Sequence, residues 1–226
     1  MSVRAAGLES ALEFFPALEK ISFVRHAFLG RIPGIDAATD RAAALRRLDA
    51  AHRALRSELG LAQKFFATAE QVHGNEIAVI DSAPAADHCY AGADGLITNQ
   101  PAVCLGIYVA DCGAVYLVDP VRRCLGLVHS GKKGTELAIV EKAIREMKRC
   151  FASEPRDLIV QLSPCIRPPH YEIDFAAEIV RQARRAGVEQ VNDAGLCTAC
   201  DLARHYSYRA EKARTGRMLA LLALRG

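Results

Sequence analysis

Three side chains in this sequence combine the types and settings needed to hold a metal ion or attack a substrate. They are His73 in QVHGNEIAVID, Cys112 in ADCGAVYLVD and His129 in LGLVHSGKKG, separated by 39 and 17 residues. A catalytic zinc takes three protein ligands and leaves one position open, and two imidazoles with one thiolate form an acceptable set. Spacing alone does not choose between that reading and three core or loop residues with ordinary hydrogen bonds. Two local features favour chemistry. Each residue lies beside a glycine or one residue from it, so backbone can come close to a ligand. Asp111 precedes Cys112, and an anionic neighbour raises a thiol pKa unless a metal or a histidine offsets it. A cation at this point would resolve the conflict.

Two further motifs carry weaker signals. In SGKKGT, Gly131 and Gly134 flank Lys132 and Lys133 ahead of a helix, a layout that suits an anion and equally suits two solvated lysines. GLVHSGKK comes near the P-loop pattern, but Lys133 stands where Ser or Thr would bind magnesium, which argues against an ATPase. CTAC, Cys197 to Cys200, is one ligand pair without an obvious second pair. A zinc there would need a partner such as His205 or Cys165, and structural cysteines are the default expectation. The zinc deaminase signature is missing, as are H-E-x-x-H and G-x-S-x-G.

The elements that must position these residues follow from hydrophobic period and punctuation. Val103 to Ile144 reads as two or three buried strands and then a helix beginning near Thr135, with Glu136 in its first turn. Upstream, KISFVRHAFLG is a strand, Asp40 to Leu59 a helix closed by Gly60, and Lys64 to Thr68 and Glu76 to Ile80 are strands flanking His73. Downstream, DLIVQL is a strand, SPCIRPPHYE is irregular because of its three prolines, and Asp174 opens a helix that Gly187 stops. TGRMLALLAL is either a helix or a buried strand.

With 226 residues, 51% of them hydrophobic, the chain can bury a good core, and we expect a single α/β domain over residues 1–226. A net charge of +3 with interleaved acids makes no case for nucleic acid. No apolar run approaches a membrane span. The opening MSVRAAGLESALEFF carries acids where a signal peptide has its apolar core, so the expected location is cytoplasmic. The eight cysteines, mostly within strand-like runs or on helix faces, are expected to be reduced and buried.

QVHGNEIAVID, GADGLIT, ADCGAVYLVD, LGLVHSGKKG, SPCIRPPHYEI, CTACDLARHYSYR and TGRMLALLAL, in that order, resemble the YfiH-type laccase-domain family, also called polyphenol oxidase or purine nucleoside phosphorylase family proteins. The resemblance runs from about Ile21 to Leu224. It implies an α/β (α+β) fold with mixed sheets layered between helices. It also implies a metal, zinc most often and copper in the older reading, on His73, Cys112 and His129. The implied activities are phosphorolysis of adenosine, inosine, guanosine or methylthioadenosine, and deamination of adenosine. Phosphate would then be held by Lys133, with Arg25 or Arg209 as helpers. The chain departs from the family pattern on the loops that meet substrate. HSGKKG replaces H-A-G-W-R-G, exchanging an aromatic for Lys132 and a planar guanidinium for Lys133. Ser163 and Arg167 replace two glycines, and the loop after VRHAF is short.

The expected partners are therefore a small-molecule nucleoside and phosphate, with no nucleic acid and no membrane; the sequence leaves the oligomeric state open. Three other functions compete. Cys112 and His129 would serve equally as nucleophile and base of a metal-free cysteine hydrolase or amidase, as in editing of peptidoglycan precursors. Copper-dependent phenol oxidation is disfavoured by the scarcity of further histidines near the trio. A non-catalytic binding protein is the fourth reading. Whether the trio converges in space decides among them.

Overall fold

In the computed structural model, which describes residues 11–225, the strand-length apolar runs become strands wherever both of their faces find cover. The chain begins with β1 (Leu12–Glu13), α1 (Pro16–Glu19), β2 (Val24–Leu29) and α2 (Arg41–Glu58), then β3 (Phe65–Ala69), β4 (Ile77–Ile80), β5 (His88–Tyr90) and β6 (Gly95–Thr98). The central run supplies β7 (Val103–Val109), β8 (Gly113–Asp119) and β9 (Cys124–Ser130), followed by α3 (Lys132–Glu136) and α4 (Ile139–Phe151). β10 (Ile159–Leu162), α5 (Phe175–Arg185), β11 (Gln190–Asp193) and β12 (Met218–Leu224) complete it. Most of the acidic opening read above falls in residues 1–10, outside the described residues.

The strands form two mixed six-stranded sheets, in the orders β1-β2-β12-β7-β3-β5 and β11-β10-β8-β9-β6-β4. Alternation along β8 and β9 shows why their sequences are apolar up to the polar residues at their ends, Asp119 and His129–Ser130. Ala114, Tyr116, Val118, Leu125 and Leu127 join a core shared with the first sheet, while Val115, Leu117, Cys124 and Val128 pack with Ile144 and Met147 of α4 and Ile179 of α5. A sheet covered on both sides needs no polar face. α2 adds Ala44, Leu48 and Leu55 to the first core. The fold is thus the expected α/β arrangement of mixed sheets layered with helices. Among the described residues no helix is long and apolar enough to cross a membrane.

Two expectations about elements are resolved or revised. The apolar tail is a strand: β12 lies between β2 and β7, antiparallel to both, with Leu221 opposite Ala27 on one side and Gly106 on the other. A seven-residue run buried at every position suits a central strand. The helix expected from Thr135 is instead two helices broken at Ala138, whose φ is 52°. Gln182 donates to the Thr135 carbonyl at 2.7 Å, taking an acceptor that a continuous helix would use, and Glu136 ends α3 rather than opening a longer helix. The cap signals hold: Asp40 accepts from the Ala43 amide at 3.0 Å and Asp174 from Ala177 at 2.9 Å, and Gly60 and Gly187 have φ of 71° and 94°.

Buried histidines tie this core to pH. His26 on β2 accepts the Phe15 amide hydrogen at Nε2, at 2.8 Å. Burial, with the Arg225 and Arg25 charges nearby, lowers its pKa to about 4, and burial lowers His52 to about 4 as well. Both stay neutral in the folded protein at pH values where the unfolded chain, below about 6.5, protonates them. The unfolded state therefore binds more protons between those values, and stability falls as pH falls through the window, by up to about 1.4 kcal/mol per pH unit for each histidine. The urea midpoint is expected to be lower at pH 5 than at pH 7.5, with a shallower fall in His26→Gln. Identical pH slopes for the two proteins would exclude His26 from the effect.

Candidate metal centre and active-site cleft

The alternation that turns Leu125 and Leu127 inward brings His129 onto the same face at the end of β9. There it lies opposite Ala114, with Ser130 opposite Gly113, so Cys112 stands one residue before the paired end of β8. His73 arrives from the loop between β3 and β4. The donor atoms of His73, Cys112 and His129 all lie within 4.8 Å of one another, and the two imidazoles meet edge to face with centroids 4.9 Å apart. Two imidazoles and a thiolate converging in this way fit a borderline divalent metal such as zinc.

The loop bearing His73 is an unusual backbone held by specific bonds. Gln71 and His73 have φ of 64° and 60°, in the left-handed region that L-residues with side chains disfavour. Asp94, fully buried, accepts the amides of Val72 (3.2 Å), His73 (3.0 Å) and Gly74 (2.7 Å). The Gln71 side chain pairs with the backbone of Tyr108, whose amide donates to its oxygen at 3.0 Å. The same Asp94 accepts a hydrogen bond from His129 Nδ1 at 2.8 Å, which leaves Nε2 as the ring nitrogen available to a metal. One carboxylate thus orients both histidines. Asp94, within GADGLIT, is not among the site residues expected from sequence; its one signal there is an acid between small residues directly before a buried strand.

Electrostatics in this cluster are those of an ion pair. Burial pushes the Cys112 thiol up, but the charge of His129 and hydrogen bonds from both histidines outweigh it and bring the pKa down to about 6. Burial pushes His129 down, while the Cys112 thiolate and Asp94 raise it to about 9. Asp94 itself is penalised by burial yet held below the usual carboxylate range by His129 and the loop amides. The histidines therefore supply the offset that Cys112 was expected to need. Asp111 acts differently from the sequence expectation: its carboxylate accepts from Thr198 Oγ1 and the Arg209 amide, both at 2.7 Å, and so fastens loops around the site.

Gly131 shows how tight the packing is. A Cβ there would sit 2.4 Å from Cys112 Sγ, closer than any real contact, so the glycine makes room for the thiol. Gly131→Ala is expected to displace Cys112 and lower metal retention by at least about tenfold, the scale of a disturbed ligand shell, as read by chelator competition. Unchanged retention would mean that the sulfur is not needed where it stands.

The trio opens into a cleft of about 430 Å³, the size of a small-molecule site. Tyr108, Tyr171, Phe175 and Tyr208 supply aromatic walls, and Arg41, Lys132, Arg209 and Arg217 supply cationic groups. Arg209 has its guanidinium 4.8 Å over the Tyr171 ring and pairs with Glu172 at 3.1 Å. Two expected phosphate ligands are elsewhere. Lys132, not Lys133, lines the cleft, because consecutive helical residues point about 100° apart and only one can face it. Arg25 pairs through Ala223 with Cys104, at the far end of β7, and lines a separate depression with Arg225. Five residues of extended chain, roughly 17 Å, separate Cys104 from the end of β7 at Val109, and Cys112 lies beyond that end.

The remaining cysteines also depart from expectation. All eight are free, but Cys89 and Cys200 are exposed rather than buried. The partner of the CTAC pair is His170, whose donor atom groups with those of Cys197 and Cys200. His205 is engaged with Glu13 at 2.8 Å, and Cys165 is buried in the second core.

A sequence profile for a family described as multi-copper polyphenol oxidoreductase laccase matches residues 35–184 and 171–225. The chain is 30% identical over 235 aligned positions to the purine nucleoside phosphorylase of Deinococcus radiodurans, covering 89% of each chain. It is 28% identical over 179 positions to the purine nucleoside phosphorylase of Clostridium acetobutylicum, covering 68% of this chain and 74% of that one. Among solved structures, YlmD from Geobacillus stearothermophilus superimposes with a TM-score of 0.76 at 24% identity, covering 94% of each chain. The Bacillus licheniformis hypothetical protein YfiH gives 0.78 at 22% identity, covering 89% of this chain and 93% of that one.

Proposed function

The chain belongs to the multi-copper polyphenol oxidoreductase laccase family, the YfiH type, and on that premise we propose that it is a purine nucleoside phosphorylase whose cleft holds one zinc ion on His73, Cys112 and His129. The observation that carries this reading is the convergence of those three donors at a cleft with aromatic walls and cationic groups. The relatives' names supply the substrate class, and the cleft's chemistry supports it. We take residues 1–226 as one catalytic unit and the cytoplasm as its location.

Phosphorolysis forms a bond from a phosphate oxygen to the ribose C1′ and breaks the bond from C1′ to the purine nitrogen, whose electron pair leaves with the base. Such a reaction needs positive charge to hold a phosphate dianion and flat apolar surfaces to hold a purine. Lys132 and Arg209 are the groups we assign to phosphate, and the rings of Tyr171, Phe175 and Tyr208 are those we assign to the base. Burying the reactants in the cleft keeps water from competing with phosphate for C1′. A zinc ion bound at the trio supplies a Lewis acid beside the reactants. Asp94 and the left-handed loop hold the two histidines in place for it. Deamination of adenosine at C6 belongs to the same proposal as an activity of the same cleft without phosphate.

Supplying adenosine with and without phosphate tests this directly. Free adenine and ribose-1-phosphate are expected only when phosphate is present, and inosine without phosphate marks the deaminating activity. Protein that holds zinc yet yields none of these, across adenosine, inosine, guanosine and methylthioadenosine, would end the nucleoside reading.

A second reading has one observation in its favour. Cys112, His129 and Asp94 form a hydrogen-bonded series of thiol, imidazole and carboxylate, which is also the layout of a cysteine hydrolase. Since the thiol pKa is brought down to about 6, the thiolate is present above that pH in metal-free protein. Alkylation of Cys112 by iodoacetamide is expected to reach half its maximal rate near pH 6 rather than near the ordinary value of about 8.5, and zinc should suppress it. A midpoint near the ordinary value would remove the ion pair from both readings. Protein that purifies metal-free and alkylates rapidly at neutral pH would favour the hydrolase.

A further inference from the structure

Outside the cleft's own trio, a second set of soft ligands converges. His170 Nδ1 lies 3.7 Å from Cys197 Sγ and 3.6 Å from Cys200 Sγ, and the three donor atoms all fall within 4.8 Å of one another. With zinc bonds of about 2.3 Å to sulfur and 2.0–2.1 Å to nitrogen, a tetrahedral site has sulfur-to-nitrogen edges of about 3.6 Å. Both observed separations match that edge; each is also within reach of a thiol-to-imidazole hydrogen bond, and it is the convergence of all three donors on one point that suits an ion. Cys197 and Cys200 sit on a tight turn, closed by the Cys200 amide donating to the Cys197 carbonyl at 3.1 Å, which is the spacing that brings two thiolates to one ion. His170 and Cys200 are exposed, so the default role of cysteine as a small buried hydrophobe does not account for the cluster.

We propose that His170, Cys197 and Cys200 form a second zinc site, with its fourth position open to solvent, that clasps together two loops framing the cleft. One loop follows β10 and carries Ile166 and Tyr171 to the cleft wall; the other follows β11 and carries Tyr208 and Arg209. The two already run side by side, with the Cys165 amide on the Leu196 carbonyl and the Thr198 amide on the Cys165 carbonyl, both at 3.2 Å. Arg167 of the first pairs with Asp193 at the start of the second. The ion adds a bond beyond the prolines at 168 and 169, between these links and the Arg209–Glu172 pair. Binding is not redox chemistry: each thiol gives its proton to solvent, the sulfurs donate electron pairs, and the metal keeps its charge. The site depends on neither the nucleoside substrate nor the Cys112 site.

Protein carrying Cys112→Ala isolates this site from the first. After purification under reducing conditions without chelator, elemental analysis is expected to find about two zinc ions per chain in the unsubstituted protein and about one in Cys112→Ala. Adding Cys200→Ser or His170→Ala to Cys112→Ala should remove the remaining ion. Cobalt added to metal-free Cys112→Ala protein should give a thiolate-to-cobalt charge-transfer band that Cys200→Ser abolishes. Zinc should also slow amide exchange in residues 163–174 and 194–205 of that protein. Cobalt bound to Cys112→Ala without a thiolate band, no zinc in that variant, or non-reduced peptide mapping that finds Cys197 joined to Cys200 would each overturn the assignment. Failure of the first site leaves its own mark, an unsubstituted protein that keeps zinc in Cys112→Ala but loses all of it in Cys200→Ser.

Discussion

Asp94→Asn is expected to weaken zinc retention at the trio by about 10- to 100-fold and to lower phosphate-dependent base release in the same proportion. Asp94 Oδ1 accepts from the His73 amide and His129 Nδ1, and Oδ2 from the Val72 and Gly74 amides. An asparagine has one oxygen and one NH2 group. Whichever way it is turned, one pair of donors faces another donor. Turned one way, the conflict falls on His129 and frees its ring to rotate or change tautomer; turned the other, it loosens the left-handed turn that presents His73. Either outcome costs about 1–3 kcal/mol for each buried donor left without a partner. The melting temperature should therefore fall by at least about 4 °C alongside the metal affinity. Zinc competition with a chromogenic chelator and a thermal melt of metal-free protein separate the two effects. A variant that binds zinc as tightly as the parent would show that the carboxylate supports the fold alone.

Cys112→Ala should have the larger effect on function and the smaller one on the fold. It removes the trio's one thiolate and leaves two imidazoles, too few protein ligands for a catalytic zinc. Zinc at this site should fall below detection, and base release should drop by more than about 100-fold, beyond what disturbing a supporting residue costs. The side chain removed is small and half-buried, so the melting temperature of metal-free protein should change by only a few degrees. His129 offers an independent readout. In metal-free protein burial lowers its pKa, and the Cys112 thiolate is the largest of the influences that raise it to about 9. Without the thiolate the value must move down, which imidazole proton resonances followed against pH would register. An unmoved His129 titration would mean that the two groups do not interact, and full activity in Cys112→Ala would remove both the zinc and the thiol readings of the site.

Much of the architecture was legible because it is written in short-range terms. Apolar runs of strand length in β7 to β9 are long enough to name as strands, and Asp40, Asp174, Gly60 and Gly187 mark helix ends through bonds made within a few residues. The break at Ala138 was not legible, since it depends on Gln182 reaching the Thr135 carbonyl from α5, 47 residues away. The nature of the tail was also undecided along the chain. A run such as MLALLAL suits a helix or a strand until β2 and β7 stand on either side of it.

The same division runs through the site. Residue type by itself marked His73, Cys112 and His129, because imidazole and thiolate are the side chains that bind borderline metals, and motif order placed them in a family. The tertiary structure decided everything that depends on direction and distance. It chose Lys132 over Lys133 through the phase of one helical turn, and put Arg25 at the opposite end of the strands from Cys112. It joined His170, rather than His205 or Cys165, to the CTAC pair, and gave Asp94 its hold on both histidines. A sequence fixes which groups are available and their local turns, but convergence is a property of strand ends brought together by sheet pairing, and no local spacing encodes it.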